Sequence, residues 1–283
     1  MYYKLTFQQL INHIDKKYTN KNINHQIIFS LSKTVKNSLD LITFRNKQID
    51  FQYQNYINKL NQYYKKYAPI SNITKLVHFN NADFIVLKKV HYPRNETELL
   101  CWEIANLIKK MNKKIKIIDF CAGTGCMGIS LKKNNMNSKL TLLEIDKKAI
   151  CNIKKNLVLN KVEANIINND FFKYIETCKT KFDVICFNPP YLNKNEIQEN
   201  LIKYENKISF NNSNDPIEFY SELFKNLKQI TNKQFIVGFE YGYNQKKQIK
   251  NILDKYKLSN YTTFYKDLNN IDRFAIIYKN SND

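Results

Sequence analysis

Three of the chain's five glycines, Gly123, Gly125 and Gly128, fall within six positions, directly after the apolar run Ile115–Phe120. An average chain of 283 residues would carry about 20 glycines, so the places where this one keeps them are informative. Glycine lets a backbone turn tightly and pass close to a ligand, because a β-carbon would fill the ligand's volume. A buried strand, a glycine turn and then a helix form the opening unit of an α/β sheet. Ligands of such sheets bind at the carboxyl edge, where this turn sits.

The rest of the chain agrees with that unit. Strands are predicted at Ile115–Phe120, Leu140–Leu143, Ala164–Ile167, Phe182–Phe187, 234–240, 261–265 and 273–278. Helices are predicted from the glycine turn to about Lys133, then over Lys147–Leu159, Phe171–Cys178, 216–230 and 244–257. This alternation implies an α/β fold with a mostly parallel seven-stranded sheet covered on both faces. Ahead of it, residues 1–66 read as helices, with Pro69 marking their exit. Residues 76–91 read as extended, with Phe84–Leu87 as a strand, and Glu96–Met111 as a helix opened near Asn95. The expected organisation is a helical docking domain at 1–68, an extended linker at 69–94 and a catalytic domain at 95–283. Phe210–Pro216, rich in Asn and Ser, is the expected long loop, and no internal repeat is found.

Composition excludes several classes. No run of 18 apolar residues exists, so a membrane span is not expected. The opening residues carry Asp15 and no apolar core, so no export signal is expected. The six cysteines have no CxxC spacing and lie apart from the four histidines, which points away from a metal site or disulfide framework and towards a reducing compartment. The net charge of +20 comes from 42 Lys and only three Arg beside 41 Asn, the signature of A+T-rich codons. Residues 1–92 carry half of that charge in a third of the length, which suits contact with an acidic protein or a transient contact with RNA.

Around the glycine turn, Asp119 and the loop Cys121, Ala122, Gly123, Thr124 and Gly125 form a candidate ligand cradle. The GTGxxG spacing is shared with dinucleotide sites. A carboxylate ahead of the turn suits a cation better than a pyrophosphate, and S-adenosylmethionine carries an ammonium and a sulfonium. Glu144, about 20 residues on, can accept from both ribose hydroxyls of either ligand. Asp170 and Phe171 offer an acceptor for an adenine amino group and a ring to cover the base; the plain alternative is a helix N-cap beside a core ring.

Asn188-Pro189-Pro190-Tyr191 follows the fourth strand at the same sheet edge. Two prolines remove two backbone donors and leave carbonyls without local partners. Asn188 adds an acceptor, and Tyr191 a flat face. This suits an NH2 on a planar conjugated group, an amide or a nucleobase. Accepting its two N–H bonds with Asn188 Oδ1 and the Pro189 carbonyl localises the lone pair and aims it at a methyl donor, so catalysis rests on positioning and electrostatics.

With these motifs the chain resembles the peptide-chain release factor glutamine methyltransferases, which methylate the glutamine of the GGQ motif in class 1 release factors. Val90–Glu98 looks like the family's VLIPRPETE segment, and Pro69 to Pro93 keeps the family's spacing from its PLQYI segment. Lys203–Asn206 resembles RFEP, Phe239–Gly242 resembles LEHG and Asn269–Phe274 resembles DNERV. The resemblance covers about 69 to 278; the leader is similar only in kind. It implies a class I S-adenosylmethionine-dependent methyltransferase with a Rossmann-like sheet. Cofactor contacts then fall on Cys121–Gly125, Glu144 and Phe171, with Asp119, Asp170 and Asn188 beside them, and substrate-amide contacts on Asn188–Tyr191. A monomer working in the cytoplasm or an organellar matrix is implied. Departures from the family pattern are Cys121-Ala122 for a Gly-Thr type pair, Glu144 for Asp, Asn95 for Pro and Asn206 for Pro. Two other readings fit part of the pattern: an adenine or guanine amino-methyltransferase acting on RNA or DNA, which would need a flipped or single-stranded base, and a silent module docking on ribosomal RNA.

Overall fold

The computed structural model describes residues 5–16, 18, 20–35, 38–65, 73–111, 113–192, 215–267 and 269–281. Pro69, residues 210–214 of the expected loop and the segment Lys203–Asn206 lie outside the described residues. The chain forms two compact units, 1–77 and 78–283, so the division falls within the stretch expected as a linker.

The first unit is helical: α1 (Phe7–Asp15), α2 (Lys21–Leu31), α3 (Ser38–Thr43) and α4 (Tyr53–Tyr64). Helix α1 begins with a capping box, in which the Thr6 hydroxyl accepts from the Gln9 amide while the Gln9 side chain accepts from the Thr6 amide. Phe7, Leu10 and Ile14 on α1, Ile27 on α2, and Tyr56 and Leu60 on α4 are buried at helical spacing. The Tyr56 hydroxyl reaches the Asn24 carbonyl at 3.2 Å, which satisfies its polar end inside the core.

A two-stranded hairpin, β1 (Leu76–Phe79) and β2 (Ala82–Ile85), follows. Pairing stops at Ile85, short of the expected Leu87, because side chains of a later helix take over the backbone groups. That helix is the third of the next series: α5 (Asn95–Ile108), α6 (Cys126–Asn134), α7 (Lys147–Asn160), α8 (Phe171–Thr177), α9 (Glu218–Ile230) and α10 (Lys246–Lys255). Asn156 of α7 accepts from the Ile85 amide at 2.7 Å, and Asn152 from the Leu87 amide at 2.6 Å. Asn160 donates to the Asp83 carbonyl at 2.9 Å. Three asparagines at four-residue spacing lie on one helix face and serve as a sheet edge for β2.

The main sheet contains β3 (Lys116–Phe120), β4 (Lys139–Glu144), β5 (Asn165–Asn168), β6 (Phe182–Phe187), β7 (Thr231–Glu240), β8 (Thr262–Lys266) and β9 (Asp272–Lys279). Its order is β5-β4-β3-β6-β7-β9-β8, with β3 to β7 parallel and β9 antiparallel to both neighbours. The strand order reverses between β3 and β6, which opens a crevice at their carboxyl ends. Side-chain alternation gives two cores. Ile117 and Val184 face a layer with Leu100, Ile104 and Ile129, while Ile118, Phe120 and Phe187 face Phe171, Leu223 and Phe224. Phe120 is fully buried and meets the Phe171 and Phe187 rings edge-on at 5.3 and 6.2 Å. Gly128 permits α6 to lie on the sheet, since a β-carbon there would stand 2.8 Å from Leu142 and 2.9 Å from Leu140. Two further boundaries fall a few residues from expectation or meet without a loop. Strand β7 begins at Thr231 directly after α9, with a register shift against β6, and α10 starts only at Lys246, with the Gln245 side chain turned away to Gly242 and Tyr191.

Candidate active site

Strand register brings the motifs together. Phe120 pairs with Phe187 across β3 and β6, and with Leu143 across β3 and β4. The glycine loop, Glu144 and Asn188 therefore leave the sheet at one level, side by side. They line a single cleft of about 320 Å3, a volume that suits a small-molecule ligand.

The loop after β3 is built for close approach. Gly125 has φ +77° and caps α6; Gly123 has φ +57°, and a β-carbon on it would project into open space. Cys121 also sits at φ +56°, in the region that favours glycine, so the departure from the family's Gly-Thr type pair is a strained one. Cys121, Ala122, Gly123 and Thr124 line the cleft, whereas Gly125 lies behind it and shapes the turn.

Asp119 lines the cleft floor and accepts from the Gly128 amide at 2.9 Å. Burial pushes its carboxyl up to about 8 against the pull of that bond, and the Glu144 charge adds to the rise. Glu144 is raised by burial too, while three backbone amides oppose the shift. Its Oε2 accepts from Gly123 at 2.8 Å, and its Oε1 from Ile145 and Asp146 at 2.8 Å each. Much of the acceptor capacity expected for ribose hydroxyls is thus engaged in holding the loop. Asp170 caps α8 by accepting from the Lys173 amide at 3.1 Å, and it also lines the cleft. Phe171 is a core ring stacked on Phe187 at 5.0 Å, with little of its surface bare. Both plain roles are realised while the pair still borders the site.

On the opposite side, Asn188, Pro189, Pro190 and Tyr191 all border the same cleft. Burial pushes the Tyr191 phenol well up, so its hydroxyl stays neutral. Sequence reasoning missed several lining residues: Phe172 and Phe219, whose rings lie 4.7 Å apart, His91 and Arg94 from the stretch leading into α5, and Thr97 in its first turn. The Val90–Glu98 segment carried a signal for the last three. Phe219 has none, because it is one apolar residue in a periodic helix.

Four carboxylic residues, Asp119, Glu144, Asp146 and Asp170, line the cleft against His91 and Arg94, in a chain of net charge +20. The site is an acidic exception in a basic protein, suited to a cationic ligand. Among the described residues no group of His, Cys, Asp and Glu could hold a metal, and no helix is long and apolar enough to cross a membrane.

This sheet order, with its glycine loop and acidic cleft, defines a class I S-adenosylmethionine-dependent methyltransferase, and S-adenosylmethionine is its cofactor. The Methyltransferase small domain family matches residues 97–207. The fold is shared with the Thermus thermophilus 16S rRNA N2 G1207 methyltransferase solved with AdoMet and guanosine, at TM-score 0.51 and 12% identity over 72% of this chain and 50% of that one. The release factor glutamine methyltransferase of Mycoplasma mycoides is 34% identical over 75% of this chain and 77% of its own. That of Clostridium acetobutylicum is 30% identical over 85% and 86%. The chain belongs to the release factor glutamine methyltransferase family.

Proposed function

We propose that this protein transfers a methyl group from S-adenosylmethionine to the side-chain amide nitrogen of the glutamine in the GGQ motif of a class 1 peptide-chain release factor. The observation that carries the reading is that Asn188–Tyr191 and the glycine loop border one cleft. The cofactor supplies an electrophilic methyl on a cationic sulfur. Glu144 provides negative charge beside the loop 121–124, Asp119 adds to it once a bound cation draws off its proton, and the bare backbone at Gly123 allows close approach. Phe171, Phe172 and Phe219 supply flat apolar surface for the base, with Asp170 at its edge.

Asn188 Oδ1 and the Pro189 carbonyl accept the two N–H bonds of the substrate carboxamide, and Tyr191 covers its plane. This lowers amide conjugation and turns the nitrogen lone pair towards the methyl. The new N–C bond forms as the S–C bond breaks, the sulfur keeps that bond's electron pair, and the methylated amide sheds one proton to water. No side-chain base is needed, because an N-protonated amide is a strong acid. A nucleobase substrate would bring a phosphate backbone to the mouth of an acid-lined cleft, which disfavours the nucleic-acid reading. The helical unit is assigned to docking the body of the release factor.

The test is incubation with labelled S-adenosylmethionine and either a release factor or total RNA, followed by mass spectrometry of the GGQ peptide. A glutamine carrying one labelled methyl in place of an amide hydrogen is expected. Label on RNA alone would reject the proposal.

A further inference from the structure

One buried carboxamide outside the cleft grips the NPPY turn. Gln245, 2% exposed, donates from Nε2 to the Tyr191 carbonyl at 2.8 Å, and its Oε1 accepts from the Gly242 amide at 2.8 Å. Its own backbone amide donates to the Gly242 carbonyl at 2.9 Å, so the residue is fixed to the exit of β7 before it reaches across to the exit of β6. The two ends of the side chain are not interchangeable. Reversing the carboxamide would set NH2 against N–H and oxygen against oxygen.

The turn's own backbone offers fewer anchoring donors than an ordinary one. Phe187, the last strand residue, is held by pairing with Phe120 and Phe239. Pro189 and Pro190 carry no N–H, so the backbone between Phe187 and Tyr191 has lost two of its anchoring donors. The Tyr191 carbonyl is where the far end of the turn meets the rest of the sheet.

We propose that Gln245 is a positioning residue for methyl transfer: by clamping the Tyr191 carbonyl to the end of β7, it sets where Asn188 Oδ1 and the Pro189 carbonyl stand. The inference rests on the reading of Asn188–Tyr191 as the acceptor site. Gln245 does not line the cleft and reaches it through Tyr191. Displacing acceptors by a fraction of an ångström leaves binding groups present yet costs rate, since the advantage of in-line positioning is steep in distance.

The experiment compares wild type with Gln245→Glu, which keeps the acceptor for Gly242 and replaces the donor to Tyr191 by a second oxygen. Gln245→Met, of similar length, removes both bonds and serves if the first variant does not fold. Single-turnover methyl transfer to a release factor, cofactor affinity by calorimetry and hydrogen exchange of the 186–192 peptide are measured on each. The expected result is a ten- to hundred-fold slower transfer step, on the order of what misplacement alone costs. Cofactor affinity should hold within about two-fold, because the cofactor wall is untouched. Exchange should quicken at Asn188 and Tyr191 while the β7 amides keep wild-type protection. An unchanged transfer rate in a folded variant overturns the inference. Should wild type itself transfer no methyl to a release factor, the acceptor reading fails, and exchange decides the clamp alone: unaltered protection at Asn188 and Tyr191 rejects it.

Discussion

The backbone amide of Gly123 donates to Glu144 Oε2 at 2.8 Å, tying the glycine loop after β3 to the end of β4. The same carboxylate takes the Ile145 and Asp146 amides, so one side chain organises three donors around the cleft. Each is a charge-assisted bond in a poorly solvated place, and such bonds are worth roughly 1.5–3 kcal/mol apiece. Glu144→Gln replaces one acceptor oxygen by an NH2 that faces backbone N–H groups. The loop should loosen and S-adenosylmethionine affinity should fall about ten- to a hundred-fold, the equivalent of about one such bond. Titration calorimetry checks this, and an affinity within about two-fold of wild type would show that Glu144 does not hold the site.

The central sheet was legible in the sequence because its strands are short apolar runs between amphipathic helices, and Phe182–Phe187 is placed without a residue's error. Register was not legible. The pairing of Phe120 with Phe187, which brings the two motifs level, follows from the packing of whole layers, and no local pattern encodes it. The role of Glu144 was half legible: a carboxylate at the end of β4 was expected, but its capture by three nearby amides follows from how the two loops meet, which no local pattern encodes. The asparagines of α7 were hidden for a different reason. In a chain with 41 Asn, three at helical spacing carry no signal until β2 is seen to lie against them.

Asp119 makes the cofactor site sensitive to pH. Burial raises its folded-state carboxyl to about 8, whereas the unfolded chain ionises near 3.8. Between those values the folded state binds a proton that the unfolded state does not, so this group's contribution to stability falls as pH rises from about 4 to about 8. Binding of a cation has the opposite slope, because it favours the ionised carboxylate. At pH 7 cofactor binding should release close to one proton from this residue, and affinity should tighten as pH rises towards 8. Calorimetry in buffers of different ionisation enthalpy measures the release. Asp119→Asn should abolish it; the same release from that variant would move the titrating group elsewhere.

Asn188 should separate chemistry from cofactor binding. It borders the cleft from the β6 side, while the loop that cradles the cofactor comes from β3. Asn188→Ala deletes the acceptor that the proposed reaction assigns to the substrate amide, the kind of preorganised group whose removal costs about 10²- to 10³-fold in rate. The expected outcome is a loss of that size in kcat with cofactor affinity unchanged. Stopped single-turnover assays beside calorimetry measure both. A kcat within about three-fold of wild type would take Asn188 out of the reaction.

Asn156 gives the stability counterpart. It is fully buried on α7; its Oδ1 accepts from the Ile85 amide at 2.7 Å, and its Nδ2 donates to the Ile85 and Thr124 carbonyls at 3.0 and 2.9 Å. One side chain therefore serves strand β2 and the glycine loop together. Asn156→Leu conserves bulk but leaves the Ile85 amide and the Thr124 carbonyl without that partner. Each orphaned buried group costs about 1–3 kcal/mol, so the loss should reach about 2–4 kcal/mol in urea unfolding. Asn160→Leu should cost less, because Asn160 keeps some solvent contact and reaches β2 by a single bond to the Asp83 carbonyl. Since Thr124 belongs to the cofactor loop, Asn156→Leu should also weaken S-adenosylmethionine binding, which Asn160→Leu should leave intact. Equal effects of the two substitutions on that binding would mean that the asparagine row supports the hairpin alone and does not reach the site.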